Sequence, residues 1–146
     1  MKILIFGLPG SGKTTLAKPF AELIGGVHIN ADAVRKHYDD WDFTPEGCMR
    51  QAARMRHLAD GVVMAGKVAV ADFMCPTEQA RSEFNPDFTV WMDTIKEGRF
   101  EDTNKMFVNP AQWDYHVSEW FDDTHAQLLG VVSTWMERNK EDGKLT

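Results

Sequence analysis

The sequence predicts an α/β fold of three layers, in which helices cover both faces of a mostly parallel, five-stranded sheet. Short apolar runs that suit buried strands alternate with longer segments of helical periodicity along the chain. The first apolar run passes through a glycine-rich turn directly into a helix, as at the start of a βαβ unit. With 146 residues, 43% of them hydrophobic, the chain fits a single domain spanning residues 1–146, without linker or repeat.

The elements follow one another in a regular order. Residues 2–6 are apolar, β-branched and aromatic, which is typical of a buried parallel strand. A helix begins at Thr14, places Leu16 and Phe20 at helical spacing, and ends at the glycines of positions 25–26. By the same reasoning we predict further strands at residues 27–30, 68–71, 88–92 and 114–118, and helices at 31–37, 46–65, 76–84 and 124–139.

Residues 7–14, with the sequence GLPGSGKT, match the phosphate-binding pattern G-x-x-x-x-G-K-[S/T] at every required position. In this pattern the glycines let backbone N–H groups surround the phosphates, and the helix amino terminus adds its positive dipole. Lys13 is expected to reach the β- and γ-phosphates, and the Thr14 hydroxyl to hold Mg²⁺. The predicted nucleotide contacts are Leu8, Pro9, Gly10, Ser11, Gly12, Lys13, Thr14 and Thr15. The sequence therefore predicts binding of a nucleoside triphosphate, with ATP and Mg²⁺ as the expected cofactors.

Carboxylates stand at the ends of three predicted strands, namely Asp32, Asp72 and Asp93. Ligands of parallel sheets bind beyond the carboxyl ends of the strands, so we expect these side chains to converge beside the phosphate loop. Asp32 can accept the proton of an attacking hydroxyl or hold Mg²⁺ through water, and Asp72 is the other candidate for orienting the metal. Taken singly, each is better explained as a helix cap or a turn residue, and only their expected convergence favours a site.

Basic and aromatic side chains follow Asp32. Arg35 lies one helical turn later and can bind an anionic substrate group in bidentate fashion. Arg50 and Arg54 share one face of the predicted helix 46–65, either as part of the site or as a solvated face paired with Glu46 or Asp60. Phe43 suits either stacking on a base or filling the core.

Residues 95–110 have the charge and glycine content of a mobile lid. Arg99 or Lys105 is expected to close over the transferred phosphate.

Composition limits the possible partners and location. The formal charge of −6 argues against broad binding to nucleic acid or to anionic membranes. Cys48 and Cys75 are isolated, which favours reduced thiols in a cytoplasmic protein, and a homodimer is compatible with the sequence. Trp113, Trp120 and Trp135 are predicted to be core and helix-packing residues rather than a binding platform.

These motifs resemble those of the adenylylsulfate kinases, which use ATP to phosphorylate the ribose 3′-hydroxyl of adenosine 5′-phosphosulfate. The similarity extends from residue 1 to about residue 120, and residues 7–15 match the family's G-L-S-G-S-G-K-[S/T]-T at all but the third position. Residues 30–35, NADAVR, are similar to its D-G-D-N-x-R segment and match at Asp32 and Arg35. Phe43 falls on the family's G-F-S, which implies that it stacks on the substrate adenine.

The later motifs match less completely. Residues 75–81 resemble the family's S-P-x-x-x-x-R, and residues 92–94 with Lys105 resemble its V-D-T and lysine-containing lid. The family's R-x-E-N-I-R-R falls on residues 48–54, CMRQAAR, so Cys48 replaces a substrate-binding arginine. Either Arg50 substitutes for it from one turn along, or the pocket is adapted to another hydroxyl-bearing substrate.

The resemblance implies a P-loop kinase that transfers the γ-phosphoryl group of MgATP to a small-molecule hydroxyl, with adenosine 5′-phosphosulfate as the leading acceptor. The expected catalytic residues are Lys13 and Asp32, with Thr14 as metal ligand. The expected acceptor-binding residues are Asn30, Asp32, Arg35, Phe43, Arg50, Arg54, Asp72 and Lys105. The alternatives are a nucleoside, nucleotide or polynucleotide-end kinase of the same fold, or a nucleotide-binding module without catalysis. A GTP switch is disfavoured, because residues 104–107, NKMF, lack the final aspartate of N-K-x-D.

Overall fold

The computed structural model describes residues 1–96 and 105–141, with side chains as far as residue 139. Its strands are β1 (Lys2–Gly7), β2 (Val27–Asn30), β3 (Ala69–Phe73), β4 (Phe88–Met92) and β5 (Tyr115–Val117). Its helices are α1 (Lys13–Ile24), α2 (Ala31–Tyr38), α3 (Pro45–Met64), α4 (Glu78–Phe84) and α5 (Thr124–Glu141). The strands form one sheet in the order β2-β3-β1-β4-β5, and every pairing is parallel. The predicted three-layer α/β fold is therefore confirmed.

The central strand β1 divides the core into two layers. Its side chains alternate between the faces of the sheet, so that Leu4 and Phe6 join one buried cluster and Ile3 and Ile5 the other. The first cluster packs against α3 and α4, and the second packs against α1 and α5. Because β1 is paired on both edges and covered on both faces, all its residues are buried, which explains its continuous apolar sequence.

Two boundaries differ from the prediction in ways that affect the site. Strand β3 continues to Phe73, two residues beyond the predicted end, because the pairs Ile5–Asp72 and Phe6–Phe73 extend its ladder with β1. Asp72 therefore lies within the strand rather than after it. Helix α4 begins at Glu78, because the Thr77 side chain accepts a 3.1 Å hydrogen bond from the Ala80 N–H and caps it there.

The prediction for the tryptophans is wrong at two positions. Trp135 packs edge-on against Phe88, with ring centroids 5.8 Å apart, at the second core cluster. Trp113 and Trp120 are instead 45% and 41% exposed. They flank the short edge strand β5, where few neighbouring elements are present to cover them. Within the described ranges, no helix is both long and apolar enough to cross a membrane.

Candidate functional site

The phosphate loop, residues 7–14, joins β1 to α1 at the carboxyl edge of the sheet. Gly10 and Gly12 have φ angles of 90° and 93°, a backbone region that favours glycine. A Cβ at Gly12 would also overlap the indole ring of Trp120, which lies directly over the loop. The glycines of the pattern are therefore required by backbone conformation at both positions and by a close approach at Gly12.

Hydrogen bonds fix the loop and place a cation on it. The Ser11 N–H donates to the Leu8 carbonyl at 3.1 Å, and the Thr94 hydroxyl donates to the Ser11 carbonyl at 2.7 Å. The Lys13 ammonium donates to the Leu8 carbonyl at 3.0 Å, so it lies across the loop. The Ser11 hydroxyl is buried and has no hydrogen-bond partner among the described residues. A phosphate in the loop would supply acceptor oxygens beside this otherwise unsatisfied group, so the loop suits a polyphosphate.

An oxygen-rich network stands beside the loop. The Thr14 hydroxyl donates to the Asp72 carboxylate at 3.1 Å, and the Asn30 side-chain amide donates to both, at 3.2 Å and 3.3 Å respectively. Asp72 is 2% exposed and also contacts the His28 imidazole. No group of three or more His, Cys, Asp or Glu side chains in the described ranges could hold a metal by itself. Mg²⁺ usually takes one or two protein ligands together with substrate phosphates, so Thr14 and Asp72 fit this ion.

Asn30 and His28 both belong to this network. The Asn30 side-chain oxygen accepts from the Ala33 N–H at 3.0 Å and caps α2, while its amide joins the group around Asp72. Asn30, predicted to bind the acceptor, thus lies in the oxygen-rich network beside the phosphate loop. The sequence reasoning missed His28, although the two-residue period of strand β2 places it on the same face as Asn30.

One cavity of about 620 Å³ connects the phosphate loop with the predicted acceptor residues. Lys13, Thr14 and Asp72 line it, as does Asp32 from the first turn of α2. Asp93 does not belong to its described lining: its carboxylate contacts His116 at 2.9 Å and Lys96 at 3.4 Å. Asp93 follows β4 at the same end of the sheet, next to Thr94 that contacts the loop, but its carboxylate is engaged by His116 of β5.

Arg35 holds the loop between α2 and α3. Its guanidinium donates to the carbonyls of Asp40 and Asp42, each at 3.0 Å, and lies 4.2 Å from the centre of the Phe43 ring. The side chain lines the cavity, yet the residue is only 4% exposed, and this burial lowers the pKa of Arg35. Phe43 lines the cavity as well and is 43% exposed. The two predicted acceptor residues are therefore stacked on each other.

Arg50 and Arg54 are bound by carboxylates of the same loop. Arg50 contacts Asp40 at 3.2 Å and Asp42 at 2.8 Å, and Arg54 contacts Asp40 at 2.5 Å. These hydrogen bonds hold the pKa of Asp40 well below its ordinary value, while bonds from Thr44 and then Arg50 lower the pKa of Asp42 to about 2. Neither arginine belongs to the described lining of the cavity.

Three uncharged side chains complete the cavity near α3. Cys48 and Cys75 are buried, and burial raises the pKa of both thiols, so both are protonated at neutral pH. Gln51 lines the cavity beside them, and its amide donates to the Ala31 carbonyl at 3.0 Å. The arginine that the resemblance would place at position 48 is thus replaced by a neutral thiol.

The predicted lid falls mostly on residues 97–104, which lie outside the described residues together with Arg99. Lys105 is exposed directly after them. Beyond it, the Arg81 guanidinium donates to the Val108 carbonyl at 2.6 Å and fixes the end of this segment to α4. The closing role of Arg99 or Lys105 stays a prediction.

Solved structures of kinases share this fold. The APS kinase of Mycobacterium tuberculosis, in complex with AMPPNP and APS, is 15% identical with a TM-score of 0.72, over 90% of this chain and 96% of that chain. A sugar kinase from Janibacter sp. HTCC2649 is 17% identical with a TM-score of 0.68, over 93% and 94% of the two chains. Shikimate kinase from Aquifex aeolicus is 14% identical with a TM-score of 0.64, over 92% and 97%. Identities this low show the fold alone.

Sequence comparison gives a family assignment. Residues 3–86 match a protein family described as an AAA domain. The matched range runs from β1 to the end of α4 and contains every residue that lines the cavity. No curated protein matches the sequence. Since the family match spans more than half of the 146 residues, the chain belongs to this AAA-domain family, with the fold of the P-loop kinases.

Proposed function

We propose that this protein is a phosphotransferase that moves the γ-phosphoryl group of ATP to a hydroxyl of a small molecule. The observation that carries the proposal is the shared cavity, which Lys13 and Thr14 of the phosphate loop line together with Asp32 of α2. A nucleotide-binding module without chemistry has no need for an exposed carboxylate in the same cavity as its phosphate loop.

The reaction follows from the roles of these residues. The acceptor oxygen forms a bond to the γ-phosphorus, and the bond between that phosphorus and the β,γ-bridging oxygen breaks. Asp32 orients the hydroxyl and takes its proton, and the products are a phosphate monoester and ADP. Lys13 stabilises the charge that spreads over the phosphoryl oxygens. Thr14 and Asp72 would hold Mg²⁺, which would supply further positive charge beside the phosphates.

The acceptor that the motif resemblance names is adenosine 5′-phosphosulfate. Phe43, exposed in the lining of the cavity, supports an acceptor with a planar ring. Adenosine 5′-phosphosulfate also carries anionic groups, which Arg50 and Arg54 are expected to bind. Both arginines are instead ion-paired with Asp40 or Asp42, which does not support this acceptor.

A coupled assay for ADP release tests the proposal. Purified protein with MgATP is supplied with a panel of hydroxyl compounds that includes adenosine 5′-phosphosulfate, nucleosides, sugars and shikimate. Release that depends on one acceptor, with a phosphorylated product, supports the kinase. Tight ATP binding with no acceptor-dependent release across the panel would instead favour the nucleotide-binding module.

A further inference from the structure

The acceptor wall of the cavity consists of the lining residues contributed by α2, by the loop of residues 39–44 and by α3. These are Ala31, Asp32, Arg35, Phe43, Cys48 and Gln51. Arg35 and Asp32 are its only ionisable side chains that carry charge at neutral pH, since burial keeps Cys48 protonated. The charge of this wall and of the ion pairs next to it decides which class of acceptor it can hold.

The arginines in and next to the acceptor wall stand beside aspartates. Three arginines, Arg35, Arg50 and Arg54, stand with three aspartates, Asp32, Asp40 and Asp42. The Arg50 guanidinium bridges Asp40 and Asp42 at 3.2 Å and 2.8 Å, and Arg54 contacts Asp40 at 2.5 Å. An anion that binds either arginine competes with a carboxylate of the chain. Such an exchange replaces one charge-assisted hydrogen bond with another, so it gains little affinity.

Arg35 forms no ion pair within the described ranges, but one nitrogen of its guanidinium, Nη1, is engaged by the loop. It donates to the backbone carbonyls of Asp40 and Asp42 and stacks on Phe43, so moving it would release the whole loop. The loop is also tightly seated, because a Cβ at Gly47 of α3 would overlap the Asp42 carbonyl. Rearrangement that freed Arg35 for an anion would break several contacts at once.

Asp32 makes an anionic acceptor still less favourable. Its carboxylate lines the cavity, is exposed, and forms no ion pair within the part of the chain that the structure describes. A phosphate or sulfate group near it would meet like charge. A neutral hydroxyl, in contrast, can donate a hydrogen bond to it, as the proposed phosphoryl transfer requires.

The geometry points to an uncharged alcohol, such as a nucleoside or a sugar, as the phosphoryl acceptor of this site. This inference rests on the proposed kinase activity and narrows its substrate class. Asp40 and Asp42 act as internal counter-ions that keep Arg50 and Arg54 from selecting an anionic substrate. The bond changes are those of the proposed transfer, with the acceptor's hydroxyl proton passing to Asp32.

Matched acceptor pairs that differ only in charge provide the test. Adenosine is compared with adenosine 5′-monophosphate, and glucose with glucose 6-phosphate, in the ADP-release assay. The double variant Asp40→Asn/Asp42→Asn releases Arg50 and Arg54 without changing side-chain size. Asp39→Asn is the matched control, because it removes a charge from an exposed residue next to Asp40. The backbone of Asp39 is left-handed, a conformation that asparagine also tolerates.

We expect the wild-type protein to prefer the uncharged member of a pair in kcat/KM. The double variant should gain roughly 10- to 100-fold in kcat/KM for the charged member, and Asp39→Asn should change the ratio by less than about twofold. Preference of the wild type for the charged member would overturn the inference.

Binding measurements test the inference even if no acceptor is phosphorylated. ADP-saturated protein is titrated with adenosine and with adenosine 5′-monophosphate by calorimetry. A gain in affinity for the monophosphate in the double variant, absent from Asp39→Asn, supports the inference, and no gain contradicts it. If this pattern holds but no compound of the acceptor panel is phosphorylated, the proposed catalysis fails while the charge selection stands.

Discussion

The Thr14 hydroxyl donates a 3.1 Å hydrogen bond to the Asp72 carboxylate, which joins the first turn of α1 to the end of β3. This contact ties the phosphate loop to the neighbouring strand of the sheet, since β3 pairs directly with β1. The two residues are far apart in the chain, yet together they present oxygen atoms of the type that Mg²⁺ prefers. The relationship predicts how nucleotide binding should depend on magnesium.

Replacing Asp72 with asparagine should weaken the magnesium dependence of the site. The amide keeps the size of the side chain but loses the negative charge, so we expect the Mg²⁺ concentration for half-maximal turnover to rise about tenfold or more. Asp93→Asn is the control, because Asp93 directly follows β4, on the other side of β1, and is paired with His116. Magnesium titrations that coincide for Asp72→Asn and wild type would exclude Asp72 from the metal site.

Lys13→Ala should reduce turnover about 100-fold or more, because the proposed role of the ammonium is to stabilise charge that develops on the transferred group. ATP affinity should fall less than turnover if the lysine acts mainly in the transition state. Lys18→Ala, on an exposed position of the same helix, is the control and should retain activity. Steady-state kinetics with calorimetric ATP binding separate the two effects. Undiminished turnover in Lys13→Ala would refute the assignment.

The conformation of the phosphate loop follows from the sequence, because its determinants are local. Gly10, Gly12, Lys13 and Thr14 are adjacent in the chain, and their pattern dictates the backbone conformation that binds phosphate. The fold can also be predicted from the sequence, since continuous apolar runs and helical periodicity specify a parallel sheet covered by helices. Asp72 is placed correctly at the sheet edge even though the predicted strand ends too early.

The acceptor half is less predictable, because it depends on an irregular loop. The sequence favours Glu46 or Asp60 as partners if the arginines of α3 form a solvated face. The actual partners of Arg50 and Arg54 lie in residues 39–43, where no periodicity indicates the direction of a side chain. Only the folded loop brings those carboxylates against the helix and neutralises both arginines.

His28 is expected to position Asp72 for metal binding. The imidazole contacts one oxygen of the carboxylate, and the other oxygen accepts from Thr14. His28→Ala should raise the Mg²⁺ requirement roughly tenfold, while His28→Gln, which retains a hydrogen-bonding side chain, should restore much of the loss. The proposed positioning role would be wrong if both variants lost stability equally and their magnesium titrations matched wild type.

Trp120 should report nucleotide binding through its fluorescence. Its indole ring lies directly over Gly12 and is 41% exposed, so a polyphosphate in the loop changes its surroundings. We expect a saturable intensity change on titration with MgATP that Trp120→Phe removes. Trp135→Phe, which alters a ring packed on Phe88 at the second core cluster, should retain the change. A signal that survives in Trp120→Phe would place the reporter elsewhere.

The ion pairs of the loop should make stability depend on acid pH. The folded-state pKa of Asp42 is about 2, below the value of 3.8 that is ordinary for an aspartate, because Thr44 and Arg50 stabilise its charged form. Its contribution is therefore fully present above about pH 4 and is lost as the pH falls towards 2. Asp42→Asn removes the titrating group, so the thermal midpoint of the variant should fall less steeply than that of wild type between pH 5 and pH 2.5, by roughly a few degrees at most for so exposed a pair. If the thermal midpoints of the two proteins fell equally over this pH interval, the Asp42–Arg50 contact would not stabilise the folded loop.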